Sequence, residues 1–147
     1  MVVILDAGSE SDLPAIRALL SGSGLPLDGL MEVPTRLVVA RHGDRVVGAG
    51  ALERHGAAGL IRSIVVSPEV RSSGIGSGIV AALERTADED GLTATYVLTE
   101  TAEAFFFRRG YRRIARGDAP PAVKASVEWA TACGESAIPM VRWEAAR

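Results

Sequence analysis

One short stretch, Arg71-Ser72-Ser73-Gly74-Ile75-Gly76, combines an arginine with two hydroxyl residues and two glycines. It follows a β-branched run typical of a strand and precedes an apolar periodicity typical of a helix. A helix N-terminus carries unpaired N–H groups and the positive end of the helix dipole, and glycine lets a ligand approach the backbone closely. Arginine adds a forked cationic donor. The arrangement indicates an anion site, and successive N–H groups suit a pyrophosphate.

Two nucleotide-binding motifs are excluded by residue type, whereas a plain turn stays open. A dinucleotide fingerprint needs a further glycine at position 79, where Ile79 stands. The P-loop of nucleoside triphosphatases needs a Gly-Lys-Ser or Gly-Lys-Thr sequence. The one lysine of the chain, Lys124, lies far from this stretch. The spacing Arg-x-x-Gly-x-Gly is by itself only weak evidence for a ligand site. A glycine-rich strand-to-helix turn without a ligand is therefore the alternative.

The length and composition limit the classes of protein to which the chain can belong. The 147 residues, 48% hydrophobic and 23% charged with a net charge of -2, suffice for one domain, predicted over 1–147. We expect no nucleic-acid partner, which would call for a basic face, and no membrane partner, because no run approaches the ~18 apolar residues of a span. The start lacks the basic region of a signal peptide. The single cysteine, Cys133, excludes an intramolecular disulfide, and we expect a cytoplasmic protein.

The elements that must position this stretch follow an irregular order. Strands are predicted over 2–6, 36–40, 45–52, 60–66, 94–99, 111–115 and 137–143. Helices are predicted over 13–20, 76–90, 102–109 and 121–133, loops over 42–44 and 55–59, and the stretch 25–34 is ambiguous but allows a short helix. This order departs from regular β-α alternation, which disfavours a doubly wound sheet. It indicates one mixed sheet with helices on its faces.

Residues 66–77, Val-Ser-Pro-Glu-Val-Arg-Ser-Ser-Gly-Ile-Gly-Ser, resemble the acetyl-CoA-binding motif of the GCN5-related N-acetyltransferases (GNAT). The family's spacing is intact, with Ser72 where glycine is usual. Residues 104–111 resemble the family's late short helix, with Arg109 at a leucine position. The element order is similar over nearly the whole chain. The resemblance implies a single α/β (mixed α+β) domain. Its mostly antiparallel sheet would have about seven strands, with helices on both faces and a splayed parallel pair.

Four further segments resemble an arsenic-resistance-associated subgroup, namely 52–54, 62–63, 98–103 and 121–133, although the subgroup often has proline where Gly134 stands. This resemblance implies an acetyl-CoA-dependent N-acetyltransferase acting on the primary amine of a small molecule, with an arsenical or phosphinate amino acid as the suggested acceptor. The alternatives are a protein or peptide N-acetyltransferase and a CoA-binding module without turnover. Dimers are common in the superfamily, so a homodimer stays open.

The resemblance places acetyl-CoA, without a metal, between the strands 64–66 and 94–99. The pantetheine arm would pair with the backbone of Ile64, Val65 and Val66, where an N–H would also donate to the thioester carbonyl. The pyrophosphate would bind the N–H groups of Arg71, Ser72, Ser73, Gly74, Ile75, Gly76 and Ser77. Phe106 lines the same site. It stands where the family often has a tyrosine that protonates the departing thiolate, so the thiolate leaves unaided or another donor serves.

Carboxylates at strand ends are the candidates for accepting the proton that the amine must lose. Glu53 ends a strand next to the acetyl-binding strand and is the first candidate. Glu100 and Glu103 follow the other strand and are second. The alternative for each is an exposed glutamate at a loop end.

Arg62 is the candidate for binding the acceptor. Alternation along 60–66 predicts that its side chain shares one face with Leu60, Ile64 and Val66. It is either an ion pair at the end of the sheet or a clamp for an anionic substrate. Thr99 and Thr101 would add hydroxyl donors, and Glu100 is a further substrate-binding candidate. We expect the two histidines, His42 and His55, to lie in surface loops.

Overall fold

A seven-stranded sheet runs through the computed structural model, which describes residues 2–132 and 136–144. Its strands are β1 (Ile4–Ala7), β2 (Thr35–His42), β3 (Arg45–His55), β4 (Ala58–Val66), β5 (Ala94–Thr99), β6 (Arg112–Arg113) and β7 (Ile138–Trp143). They lie in the order β1-β2-β3-β4-β5-β7-β6. Only the β4–β5 pair is parallel. The predicted mixed, mostly antiparallel sheet with one parallel pair is confirmed.

Helices cover both faces of the sheet, as predicted. They are α1 (Leu13–Gly22), α2 (Ile75–Glu89), α3 (Glu103–Arg108) and α4 (Pro121–Lys124). The apolar side of α2 is buried on one face together with Phe106 of α3. On the other face α1 covers β2 and β3, while Val123 and Trp129 cover β4 and β5. None of the helices in the described ranges is long and apolar enough to cross a membrane.

The predicted helix over 121–133 was wrong in its extent. The structure has α4 followed by a separate π-helical segment, Glu128–Ala132, and Cys133 lies outside the described residues. Ser126 Oγ accepts a hydrogen bond from Trp129 N at 3.1 Å. A serine side chain that bonds to the nearby backbone in this way competes with a continuous helix. The break gives the second segment its own orientation, which places Glu128 in the candidate site.

Three other boundaries differ from the prediction. The strand over 111–115 is reduced to the two residues that pair with Met140 and Val141 of β7. The stretch 25–34 forms turns rather than a short helix. The loop at 55–59 is a tight turn over 56–57, because β3 and β4 pair through to His55 and Ala58. These segments are short and their sequences do not favour one secondary structure, so their bounds depend on pairing in the tertiary structure.

A β-bulge in β4 changes which side chains share a face. Ala49 pairs with Val65 whereas Ala51 pairs with Arg62, so β4 uses three residue steps where β3 uses two. The extra residue falls next to Ser63, whose φ of 60° is left-handed. Leu60 and Arg62 therefore stay on one face with Val65. The predicted grouping of Arg62 with Ile64 and Val66 was wrong, because those two pack toward α2.

Close packing of α2 against the bulge depends on a glycine in β3. A Cβ built at Gly50 would lie 2.6 Å from Ile64 Cδ1 and 2.6 Å from Ile79 Cγ2. Both distances are shorter than a Cβ contact allows, so a larger residue here would push α2 away from the sheet. Gly50 thus lets the helix that bears the anion-binding loop approach the bulged strand.

Asp12 joins three segments at the start of the chain, and its charge is expected to stabilise the fold above about pH 4. Its carboxylate accepts two hydrogen bonds from Arg41 at 2.9 Å and one from Ser9 N at 2.9 Å. The Arg41 guanidinium holds the pKa of Asp12 below its usual value, although burial opposes this effect. We expect Asp12→Asn to lower the free energy of unfolding by about 1.5–3 kcal/mol at pH 7.

The lowered pKa of Asp12 also fixes the sign of the pH dependence. A depressed carboxyl pKa stabilises the folded state above the ordinary value of about 4, and this contribution is lost as the pH falls through the depressed pKa. Urea unfolding of the wild type and of Asp12→Asn should therefore differ at pH 7 and converge in acid. A difference that stays constant down to acid pH would contradict this assignment.

Candidate active site

The parallel strands β4 and β5 separate partway along their length. They pair from Ala58 to Ile61 of β4 with Ala94 to Val97 of β5, and no further. A cleft of about 700 Å³ opens where they part, between the N-terminus of α2, helix α3 and the loop 24–26. The predicted site residues that line this cleft are Arg62, Ile64, Gly76, Ser77, Thr99, Glu100, Thr101 and Phe106. The splayed strand pair is confirmed, and these predicted residues meet at one cleft.

The loop before α2 has the geometry of an anion cradle. Gly74 caps the helix with a left-handed φ of 82°, and the first helical bond runs from Gly78 N to Gly74 O at 3.0 Å. The N–H groups at positions 75–77 therefore precede the helical ladder, where the helix dipole is positive. A Cβ at Gly74 would meet no atom within 4 Å, so a ligand can approach. This backbone fits the pyrophosphate of CoA.

Ser72 shows why a glycine is usual at its position. Its φ is 69°, in the left-handed region that side chains rarely adopt. A serine there costs about 1 kcal/mol relative to an unstrained backbone. The departure from the family motif thus leaves the loop conformation in place.

The side chains of Arg71 and Ser73 contact the protein. Arg71 Nε donates to Val66 O at 3.1 Å, and one terminal nitrogen donates to Ser23 Oγ at 3.3 Å. Ser73 Oγ donates to Val70 O. These bonds tie the loop to the end of β4 and the end of α1. Binding of CoA by the backbone N–H groups of 71–73 stays a prediction.

The bulged strand β4 turns one backbone edge toward the cleft. Val65 and Val66 pair with β3 on the other edge, and β5 no longer pairs with this stretch. Ile64 lines the cleft, Val65 is buried toward α1, and Val66 is partly buried toward α2. The edge can accept an added strand-like ligand through its backbone. Its role with the pantetheine arm stays a prediction.

A buried ion cluster lies at the floor of the cleft. None of the Arg62 side chain is exposed, and its Nη1 donates to Glu53 Oε2 at 3.1 Å. Its Nε donates to Ser63 Oγ at 3.1 Å. His55 Nε2 lies 2.9 Å from Glu53 Oε1. The expectation of a surface histidine was wrong for His55, because the short 56–57 turn keeps it in β3 with 7% of its side chain exposed.

Of the two alternatives for Arg62, the structure shows the ion pair, which Arg62 forms with Glu53. Arg62 also lines the cleft, and its role as a clamp for an anionic substrate stays a prediction. Its Nη2 has no hydrogen-bond partner among the residues that the structure describes, and it lies 3.7 Å from Glu128 Oε1. A buried donor without a hydrogen bond is costly, so its presence at a cleft suggests a ligand.

Glu53 does not line the cleft, whereas Glu128 does. Both oxygens of Glu53 are engaged, with His55 and with Arg62. Its role as the proton acceptor stays a prediction, and among the described contacts Glu53 reaches the cleft through Arg62. Glu128 was not predicted as a site residue from the sequence, because it lies inside the helix that was predicted over 121–133. The one signal was a carboxylate beside the apolar Val127 and Trp129.

Thr99, at the end of β5, and Glu100, which follows it, lie at the rim of the cleft. Thr99 Oγ1 accepts a hydrogen bond from Ala102 N at 2.9 Å, next to the start of α3. Glu100 Oε1 accepts from Ser136 Oγ at 3.2 Å, and its side chain is exposed. Both residues line the cleft, as their predicted substrate-binding roles require. The roles themselves stay predictions.

Phe106 closes one wall of the cleft. Its ring packs edge-on against Phe105 and Tyr111, each with ring centroids 5.1 Å apart. Among the described residues that line the cleft there is no tyrosine. Tyr111 lies behind Phe106, where burial first and the Glu84 carboxylate second raise the pKa of its hydroxyl. Tyr111 does not line the cleft. Within residues 2–132 and 136–144, no three His, Cys, Asp or Glu side chains are grouped to hold a metal ion.

Comparison with known proteins identifies the family. Residues 34–113 match the family described as the acetyltransferase (GNAT) domain. The chain is 38% identical over 114 residues to an amino-acid acetyltransferase of Mycobacterium tuberculosis (strain ATCC 25618 / H37Rv), a match that covers 71% of this chain. The match spans 65% of the length of that curated relative.

Two solved structures share the fold. Rv2747 from Mycobacterium tuberculosis, in complex with CoA and a ligand denoted NLQ, gives a TM-score of 0.79 at 27% identity over 97% of this chain and 99% of that one. N-acetylglutamate synthase from Neisseria gonorrhoeae, complexed with coenzyme A and N-acetyl-glutamate, also gives 0.79, at 19% identity over 99% of this chain and 36% of that one. The chain therefore belongs to the GNAT family of acetyltransferases, whose domains use acetyl-CoA.

Proposed function

We propose that this chain transfers the acetyl group of acetyl-CoA to the primary amine of a small amino acid. The observation that carries the proposal is a buried guanidinium, Arg62, at the floor of the cleft where β4 and β5 separate. Such a group binds the carboxylate that every amino acid carries. The Mycobacterium tuberculosis relative is named an amino-acid acetyltransferase, and the Neisseria synthase was solved with N-acetyl-glutamate. Both support an amino acid as the acceptor class here.

The donor half of the reaction uses backbone groups. Acetyl-CoA supplies the acetyl group as a thioester. The N–H groups of residues 71–77 hold the pyrophosphate, and the cleft-facing edge at Ile64, Val65 and Val66 holds the pantetheine arm. An N–H at the bulge donates to the thioester oxygen as negative charge develops on it. Phe106 packs beside this arm, and the side chain itself has no proton to give.

The acceptor binds to the buried guanidinium at the floor of the cleft and to polar residues at its rim. Arg62 binds the acceptor's anionic group through Nη2, the nitrogen that lacks a hydrogen bond among the described residues. Glu53 and Ser63 fix the other two guanidinium nitrogens and so orient it. Thr99 and Glu100 contact the acceptor from the rim. An arsinate or phosphinate is an oxyanion like a carboxylate, so an arsenical or phosphinate amino acid fits the same arginine.

A thiol-release assay tests this proposal. Acetyl-CoA is incubated with the protein and with four acceptor sets: the L-α-amino acids, arsinate and phosphinate amino acids, polyamines, and peptides. We expect release with amino acids, and more with acceptors that keep the carboxylate or oxyanion than with their decarboxylated amines. Release with peptides alone would favour a protein acetyltransferase. Tight CoA binding by calorimetry with no release on any set would favour a binding module. Either outcome would overturn the proposal.

A further inference from the structure

We infer that Glu128 binds the ammonium group of the acceptor and takes its proton. This inference rests on the proposed function and names the residue that prepares the amine for attack. Three observations bring Glu128 forward. It lines the cleft, 6% of its side chain is exposed, and its Oε1 lies 3.7 Å from Arg62 Nη2. It is thus a carboxylate at the floor of the same cleft, beside the guanidinium that is proposed to bind the other end of the acceptor.

The carboxylates near Arg62 favour a cationic ligand. Glu53 Oε2 lies 3.1 Å from Arg62 Nη1, and Glu128 Oε1 lies 3.7 Å from Arg62 Nη2. A carboxylate in a low-dielectric floor attracts a cation more strongly than a carboxylate in water does. The ammonium of an acceptor is such a cation. The pair Arg62–Glu128 therefore presents a cation beside an anion, which matches the two ends of an amino acid.

Glu128 is better placed for the proton than Glu53. Both oxygens of Glu53 are hydrogen-bonded to His55 and Arg62, and Glu53 does not line the cleft. Glu128 lines the cleft together with Ile64, near which the thioester is expected. The charged and titratable groups near Glu128 that the described contacts give are Arg62 of β4, Glu53 and His55 next to Arg62 on β3, and Glu100, which lines the same cleft after β5.

The proton and electron balance is complete with this one base. The acceptor enters as an ammonium, and the Glu128 carboxylate takes one proton from the nitrogen. The nitrogen lone pair then forms the N–C bond to the acetyl carbon, while the C–S bond breaks and its electron pair leaves on sulfur. The second proton lost by the nitrogen passes to the thiolate, and Glu128 returns its proton to water. One proton is released overall, and no redox partner is needed.

The test compares Glu128→Gln with the wild type, using the L-α-amino acid panel and acetyl-CoA. Glutamine keeps the shape and removes the charge, so the variant should fold and should bind CoA as the wild type does. We expect kcat/KM for the amino acid to fall about a hundredfold at pH 7. We also expect this loss to shrink as the pH approaches the pKa of the acceptor amine, because solvent then removes the proton.

Two variants complete the comparison. Glu128→Asp keeps a carboxylate and should retain partial activity with the pH profile of the wild type. Glu89→Gln, an exposed residue of α2 outside the cleft lining, makes the same chemical change and should leave activity unchanged. If Glu128→Gln had the kcat/KM and the pH profile of the wild type, the inference about Glu128 would be overturned, but the proposed function would not. A loss that no pH restores, or a loss of CoA binding in both Glu128 variants, would overturn the inference in the same way. No release by the wild type on any amino acid would overturn the proposed function as well.

Discussion

Gly74→Glu is expected to weaken CoA binding by roughly a thousandfold or more while the protein stays folded. Gly74 starts the loop whose N–H groups precede the ladder of α2, and a Cβ there meets open space. A glutamate would bring both bulk and a negative charge to the place where the pyrophosphate is predicted to bind. Like charges at such a contact cost several kcal/mol, and the helix N-terminus no longer has a free anion site. Isothermal titration calorimetry with CoA measures the effect.

The opposite end of the same helix offers a matched control. Gly91 follows α2, has a left-handed φ of 73° and also faces open space, whereas Gly74 has a φ of 82°. Gly91→Glu therefore introduces the same side chain with the same kind of backbone strain, about 1 kcal/mol, far from the loop. It should bind CoA as the wild type does and unfold at a similar urea concentration to Gly74→Glu. If Gly74→Glu keeps CoA affinity within tenfold of the wild type, the loop is a turn and not a ligand site.

Arg62→Met is expected to lower the free energy of unfolding by about 3–5 kcal/mol. The methionine removes the guanidinium that contacts the Glu53 and Glu128 side chains, which are 3% and 6% exposed. The Glu53 carboxylate would then be buried without the guanidinium that donates to it, and the loss of a partner in a buried pair costs far more than the pair itself contributes. Urea unfolding at pH 7 measures the change.

An exposed ion pair provides a control that distinguishes the effect of burial from the effect of losing a charge. Arg36 Nη1 lies 3.1 Å from Asp90 Oδ1, but 56% of the Arg36 side chain is exposed. Arg36→Met removes the same guanidinium from an ion pair in water, where such pairs contribute about 0–1 kcal/mol. We therefore expect little change in its free energy of unfolding. An Arg62→Met variant as stable as Arg36→Met would mean that water reaches the cluster, and the floor of the cleft would then not be a low-dielectric site.

The sheet and the anion loop could be predicted because their signals are local. Residues 94–99 form a β-branched run and become β5 with the same bounds. The predicted helix over 76–90 and the observed α2 differ by one residue at each end, because apolar periodicity and a terminal glycine mark it. The segment after Pro121 lacked such marks. Its helical propensity was misleading because a single side-chain bond from Ser126 interrupts the helix.

The face of Arg62 could not be predicted, because alternation assumes an unbroken strand. One inserted residue at Ser63 moves Ile64 and Val66 to the α2 side and leaves Arg62 beside Glu128. Bulges carry weak sequence signals, and Ser63 is not a glycine although its φ is positive. The same stretch of β4 no longer pairs with β5, and its free edge is the one predicted to hold the pantetheine arm.

The sequence by itself determined the loop that is predicted to bind the donor. The stretch 66–77 is contiguous, and its predicted chemistry comes from backbone N–H groups whose placement follows from glycines and a helix start. Only the tertiary structure decided the charge cluster that is proposed to bind the acceptor. Glu53 and His55 of β3, Arg62 of β4 and Glu128 of the π-helical segment are distant in sequence and meet through sheet register, a bulge and a broken helix. Spacing along a chain encodes local geometry, whereas a charge cluster assembled from separate elements depends on how those elements pack.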